Sequence, residues 1–156
     1  VHREEKVSLQ NSYLYDVDVV WSDRRSGQVR AEGRPVLEVA PPPEFAGDVG
    51  KWTPEHLLVA AAGSCLMSTF FSIAEISGLT VTSYRSKVLG RLEKVPGEGY
   101  RFTALTVVPE IEVAAEDLDK AQKVLAKAEK NCFINNSLRA TVQVEPRFLA
   151  VAALGP

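Results

Sequence analysis

Two cysteines, Cys65 and Cys132, are the residues in this chain best suited to chemistry, and they stand sixty-seven residues apart. Each falls on the apolar face of an expected helix. Three uses are open to them: small core residues, a pair that attacks an oxidant and resolves the product as a disulfide, or metal ligands. A thiol pair needs one cysteine with a lowered pKa, because the thiolate is the nucleophile, and a cation beside Cys65 would supply this. Candidate cations are Arg24, Arg25, Arg30, Arg34 and Lys51. A metal set would have to add His56 or His2, and no Cys-x-x-Cys or His-x-x-x-His spacing supports one. His56, in the first turn of a helix, reads as an exposed polar residue. No phosphate-binding glycine loop, dinucleotide fingerprint or Gly-x-Ser-x-Gly elbow occurs, so no cofactor is expected. Gly63-Ser64-Cys65 is small and tight, which suits close approach by another element.

The elements that must position these cysteines follow from periodicity and punctuation. Thr53-Pro54-Glu55 starts a helix: Thr can cap, Pro fits the first helical position, and Glu55 faces the positive end of the macrodipole. It runs to about Ser77 and stops at Gly78. Its eighteen residues from Leu57 to Ala74 carry no charge, close to the lower limit for a membrane span. Gly63, Ser64, Ser68, Thr69 and Ser72 interrupt them, and no basic cluster flanks them, which predicts a central buried helix instead. A second helix begins near Glu116, with Leu118, Ala121, Leu125, Ala128 and Cys132 on one stripe.

Strands are expected along Tyr13–Trp21, Gln28–Glu32 and Pro35–Val39, with a turn at Asp23–Gly27. Further strands are expected over Thr80–Leu92, Tyr100–Val113 and Ala140–Phe148, with a hairpin turn at Val95–Gly99. Pro41 to Gly50 is a stiff connector. The order strands, helix, strands, helix, strand predicts an α+β fold with antiparallel sheet, in one domain spanning 1–156.

Composition narrows the function classes. The chain is 46% apolar and 24% charged with a net charge of −2, which supports a real core and argues against nucleic-acid binding. A charged start, Val1-His2-Arg3-Glu4-Glu5-Lys6, is unlike a secretory leader, and two cysteines do not make a disulfide scaffold. A reducing, cytoplasmic location is the expectation.

Thr53-Pro54-Glu55-His56-Leu57-Leu58-Val59-Ala60-Ala61-Ala62-Gly63-Ser64-Cys65 resembles a signature of the OsmC/Ohr family, the osmotically induced protein C and organic hydroperoxide resistance proteins. In that family a long central helix opens with a Pro-Glu pair, and the reactive cysteine follows ten residues after the glutamate, as Cys65 follows Glu55 here. The family's second cysteine follows its second helix, commonly as Cys-Pro-x-Ser-Asn. This chain has Cys132-Phe133-Ile134-Asn135-Asn136-Ser137, with Phe133 in place of the proline. Trp52 before the Thr-Pro-Glu start is a second departure, and together they resemble a less characterised OsmC-like branch.

The resemblance implies an intertwined homodimer with antiparallel sheets around two central helices. It also implies a thiol-dependent peroxidase acting on organic hydroperoxides in oxidative-stress defence, needing no bound cofactor. Cys65 then corresponds to the peroxidatic cysteine and Cys132 to the resolving one, while an external dithiol such as protein-bound dihydrolipoamide restores the pair. Glu55 corresponds to the carboxylate that holds an arginine against Cys65. That arginine matches Arg25 in Arg25-Ser26-Gly27, with Arg24 one position away. Residues 35 to 54 contain no arginine, and Lys51 cannot offer the planar fork of a guanidinium.

An arginine beside Cys65 would favour its thiolate and the departing alkoxide, and a carboxylate would fix the guanidinium. Leu66, Phe70, Phe71 and Phe133 are available as apolar walls for a lipid-like peroxide. Ten helical residues put Glu55 about 15 Å from Cys65 along the axis, so a spanning arginine or a partner helix would have to join them. Two other readings stand beside the peroxidase: a dimer of this fold that binds or senses an apolar or oxidised ligand without turnover, and an interaction module with inert cysteines.

Overall fold

The computed structural model of the chain describes residues 11–152. It divides into two compact units, one ending at Pro54 and one beginning at Glu55. The first unit is a three-stranded antiparallel sheet in the order β1 (Asp18–Asp23), β2 (Ser26–Arg30), β3 (Leu37–Val39). Asp23 pairs with Ser26 across a two-residue turn in which Arg24 adopts a left-handed φ of 50°. The Trp21 indole N–H steadies that turn by donating to the Arg24 carbonyl at 2.8 Å. The connector after β3 is tied back where Ala40 N–H donates to the Trp52 carbonyl at 3.0 Å.

The strand expected from Tyr13 begins only at Asp18, and none of its residues is buried, including Val19 and Trp21. Period-two alternation marks a strand built to have one covered face. Among the described residues of this unit, no helix beyond a three-residue turn, Pro43–Phe45, is available to cover it.

The second unit holds α1 (Pro54–Ile76), β4 (Val81–Val95), β5 (Gly99–Ala114), α2 (Leu118–Asn131), α3 (Phe133–Asn136), β6 (Thr141–Val144) and β7 (Arg147–Val151). α1 ends as Gly78 predicts. With φ at 67°, Gly78 lets its own N–H reach Glu75 O at 3.2 Å and the Leu79 N–H reach Ala74 O at 2.9 Å. β4 and β5 form the expected hairpin, with Val95 opposite Gly99.

The final strand departs from the expected antiparallel pairing. β6 and β7 both run parallel to β5, because α2 and α3 carry the chain back across the sheet before it pairs. The single strand expected over Ala140–Phe148 is broken at Glu145–Pro146, where proline has no N–H for the ladder. The register nonetheless continues through the break, with Val107 opposite Val144 and Glu110 opposite Arg147.

The core lies where α1 and α2 meet β5. Alternate residues Leu105, Val107, Ile111 and Val113 of β5 are buried, with Leu66, Phe70 and Ala74 of α1 and Ala121, Leu125 and Ala128 of α2. Each large side chain there contributes roughly 1.5–3 kcal/mol of burial. Gly63 explains the small residues beside Cys65: a Cβ at that position would lie 2.5 Å from Val88 Cγ2 of β4. α1 is long and apolar enough to cross a membrane by length and composition, but in this fold one stripe of it packs into the core. Among the described residues nothing buries it on nearly all sides, since Met67, Phe71 and Ile76 on the other side remain exposed.

Candidate functional site

Cys65 sits in the middle of α1, half-buried and packed against the core cluster. Thr69, one helical turn on, places its hydroxyl 4.0 Å from the Cys65 sulfur. Cys132 is fully buried. The expected stripe on the second helix does run to Cys132, but α2 itself ends at Asn131. Cys132 has extended backbone angles, φ −74° and ψ 106°, and forms the link into α3. That short turn closes when Asn136 N–H donates to the Cys132 carbonyl at 3.0 Å. This path folds the thiol of Cys132 against α1, within hydrogen-bonding reach of Cys65.

The two thiols are driven in opposite directions. Burial pushes Cys65 upward, but the main-chain N–H of Ile134, the Cys132 thiol, the Thr69 hydroxyl and the Phe133 N–H outweigh it and hold Cys65 below the ordinary thiol value. Burial pushes Cys132 up to about 11, reinforced by the neighbouring Cys65 sulfur against the N–H groups of Asn135 and Ile134. The two adjacent sulfurs thus differ in acidity, Cys65 shifted down and Cys132 shifted up.

Tyr84 of β4, which the sequence reading did not single out, stands beside this pair. Its ring lies 5.6 Å from Phe70 and 5.5 Å from Phe71, and burial pushes its phenol up to about 12. Its place on the inward face of β4 was its only signal. Leu66 and Phe70, considered as walls for a substrate, are fully buried core residues, whereas Phe71 and Phe133 are exposed.

The carboxylate and the cations are placed differently. Glu55 lies in the first turn of α1 with its Oε2 buried and without a hydrogen-bond partner among the described residues. Arg25 belongs to the first unit, where its Nη1 donates to the Phe45 carbonyl at 3.1 Å. Arg24 pairs with Asp48 at 3.5 Å, and Lys51 reaches the same carboxylate at 3.4 Å. The Ser26 hydroxyl, then Lys51, hold Asp48 below the usual carboxylate value. Arg24, Arg25, Ser26 and Asp48 line a cavity of about 450 Å³ in that unit. Arg30 is engaged by Gln28 and Arg34 by the Glu32 carbonyl at 2.7 Å. The leading groups that lower Cys65 are thus N–H, S–H and O–H dipoles of its own unit. Backbone donors leave no trace in residue type, so the search for a cation missed them. Among the described residues no cluster of three or more His, Cys, Asp or Glu side chains forms a metal-ligand set, and His56 is exposed.

Known proteins share this arrangement of elements. An OsmC-like protein of unknown function from Vibrio cholerae superposes with a TM-score of 0.79 at 24% identity, covering 86% of this chain and 99% of that one. An organic hydroperoxide resistance protein, OsmC, from Legionella pneumophila superposes with a TM-score of 0.70 at 23% identity, covering 90% and 100%. In sequence, the uncharacterized protein YmaD of Bacillus subtilis (strain 168) is 23% identical over 117 residues, 72% of this chain and 77% of its own length. The family model described as OsmC-like protein matches residues 47–147, a span that contains Glu55, Cys65 and Cys132 and leaves out Arg25. With the fold, the central helix and both cysteines inside that match, the chain belongs to the OsmC-like family.

Proposed function

We propose that this protein is a thiol-dependent peroxidase that reduces organic hydroperoxides through Cys65 and Cys132, in defence against oxidative stress. The observation that carries the reading is the meeting of the two thiols, Cys65 on α1 and Cys132 in the link after α2, within hydrogen-bonding reach of each other. The thiolate of Cys65 attacks the outer oxygen of ROOH, forming an S–O bond as the O–O bond breaks. The alkoxide takes up a proton and leaves as ROH, and Cys65 is oxidised to the sulfenic acid. Cys132, as thiolate after giving up its proton, attacks the Cys65 sulfur; the S–S bond forms and water leaves. An external dithiol, of the dihydrolipoamide type, then reduces the disulfide and is itself oxidised, so no bound cofactor is needed.

Relatives named as organic hydroperoxide resistance proteins support the substrate class. Exposed apolar side chains on β1 and on the open side of α1, including Trp21, Met67 and Phe71, support a homodimer that covers them. The unpartnered Oε2 of Glu55 supports a guanidinium, from Arg25 or Arg24, arriving there in the assembled protein. A cycle that starts from two free thiols fits a reducing cytoplasm.

The test adds cumene hydroperoxide or hydrogen peroxide to the reduced protein, follows peroxide loss with and without a dithiol, and maps disulfides by mass spectrometry. Multiple turnovers favouring the organic peroxide, with a Cys65–Cys132 disulfide, are expected. Two slow, unpaired thiols and no consumption would overturn the reading in favour of a ligand-binding dimer.

A further inference from the structure

The sheet of the second unit carries a charged cavity on the face turned away from the cysteines. Along β4, Tyr84 and Val88 pack against the core, so alternation turns Arg85, Lys87 and Leu89 to the opposite face, where all three are exposed. On β5, Val107 and Ile111 are buried, which turns Val108 and Glu110 the same way. The ladder then sets Arg85, Glu110 and Arg147 in one row across β4, β5 and β7, with Lys87 opposite Val108 in the next row of that face. Arg85, Lys87, Leu89, Val108, Glu110 and Arg147 line a cavity of about 400 Å³.

The charges in this cavity do not cancel. Glu110 takes one guanidinium on each oxygen, Arg85 Nε at 3.6 Å from Oε2 and Arg147 Nη1 at 3.6 Å from Oε1. Lys87 forms no ion pair among the described residues. Three cations thus face one carboxylate, a surplus of two positive charges in a chain whose net charge is −2. Exposed ion pairs add little to stability, and like charges gathered on one sheet face oppose it, so folding does not account for the cluster. Both guanidiniums are bridged by one carboxylate and keep further N–H donors to offer.

We propose that this cavity binds an organic phosphate monoester, with the phosphate against Arg85, Lys87 and Arg147 and the organic group over Leu89 and Val108. A phosphate monoester carries about −1.5 to −2 at neutral pH, which matches the surplus, whereas a single carboxylate leaves one cation over. Guanidinium forks accept phosphate oxygens in pairs, and a lysine serves as a point charge for another. The volume falls within the roughly 300–1,000 Å³ of small-molecule sites. α1, which carries Cys65, packs on the other face of the sheet through Phe70 on Tyr84, so the site is separate from the thiols and does not rest on the peroxidase reading.

The experiment is isothermal titration calorimetry of the reduced full chain at low ionic strength, with phenyl phosphate, inorganic phosphate and benzoate as probes. Phenyl phosphate is expected to saturate at one per chain. Inorganic phosphate, with nothing to lay on Leu89 and Val108, should bind more weakly, and benzoate more weakly than phenyl phosphate. Lys87→Ala and Arg147→Ala should each weaken phenyl phosphate about tenfold, the loss of one charge-assisted contact. Lys123→Ala, which removes an exposed charge from α2, should leave binding unchanged. Unfolding midpoints verify that the variants fold; should Arg147→Ala not fold, the exposed and unpaired Lys87 carries the test alone. Absence of saturable binding would overturn the proposal. So would equal losses from Lys87→Ala and Lys123→Ala, which mark a general charge effect, or benzoate binding tighter than phenyl phosphate. A protein that binds phenyl phosphate in this way but consumes no peroxide retains the site and refutes only the peroxidase reading.

Discussion

Around Cys65, N–H groups of Ile134 and Phe133, the Cys132 thiol and the Thr69 hydroxyl converge on one sulfur, all from a single well-packed unit. At the start of the same helix, Glu55 keeps a buried oxygen with no partner among the described residues, and Arg25 in the other unit donates to a carbonyl. In the first region the groups around the sulfur all belong to one unit; in the second a buried carboxylate oxygen has no partner among the described residues. The contrast teaches that lowering the thiol and supplying a cation are separable tasks. Dipoles fixed by the fold act on the first, while a charge beside Glu55 belongs to the proposed assembly.

The largest expected effect tests the thiol region. Cys65→Ser should abolish peroxide turnover, whereas Cys132→Ser should allow one round and then accumulate sulfenic or over-oxidised Cys65, read by mass spectrometry. Equal, small losses from both substitutions would break the division of labour between the two sulfurs. Next is the packing behind them. Phe70 is fully buried against Tyr84 and Phe71, so Phe70→Ala should cost about 3–5 kcal/mol in denaturant unfolding. An unfolding midpoint unchanged from the wild type would show that the thiol region does not rest on this core.

The region around Glu55 gives a smaller effect. If Glu55 receives a guanidinium in the assembled protein, Glu55→Gln should slow Cys65 oxidation by about tenfold, as should Arg25→Ala. If Arg24→Ala has that effect instead, the arginine lies one residue earlier, and no effect from any of the three would leave the dipoles of the thiol region sufficient alone.

The smallest effect is in pH. Reactivity of Cys65 should persist below the ordinary thiol range and fall as pH drops through its lowered pKa, which stopped-flow alkylation would follow. Cys132 has the opposite sign. Its folded pKa, about 11, lies above that of the unfolded thiol, so the stabilisation is full below the unfolded value and is lost as pH rises toward about 11. Unfolding midpoints of the reduced protein should therefore decline over that window, and less so in Cys132→Ala.

Much of the framework was legible in the residues. Thr53-Pro54-Glu55 and Gly78 bracket α1, and the structure places it at Pro54–Ile76. The stripe from Leu118 to Ala128 identified the face that α2 buries. The hairpin at Val95–Gly99 and the tight Gly63 contact were likewise readable from small residues and turn chemistry. The exposure of β1 was not, because alternation records that a strand expects a cover and not whether its own unit contains one. The parallel pairing of β6 and β7 escaped as well, since strand direction is set by where α2 returns the chain.

The sequence by itself determined which residues share a face of each helix or strand, where α1 begins and ends, and that two cysteines lie on apolar faces. Side-chain periodicity is a local property, carried by 3.6- and two-residue repeats. Only the tertiary structure decided that two sulfurs sixty-seven residues apart meet, and that main-chain N–H groups after Cys132 face the one from α1. Distance across elements depends on how helices and sheet pack, and a backbone donor is the same group in every residue but proline.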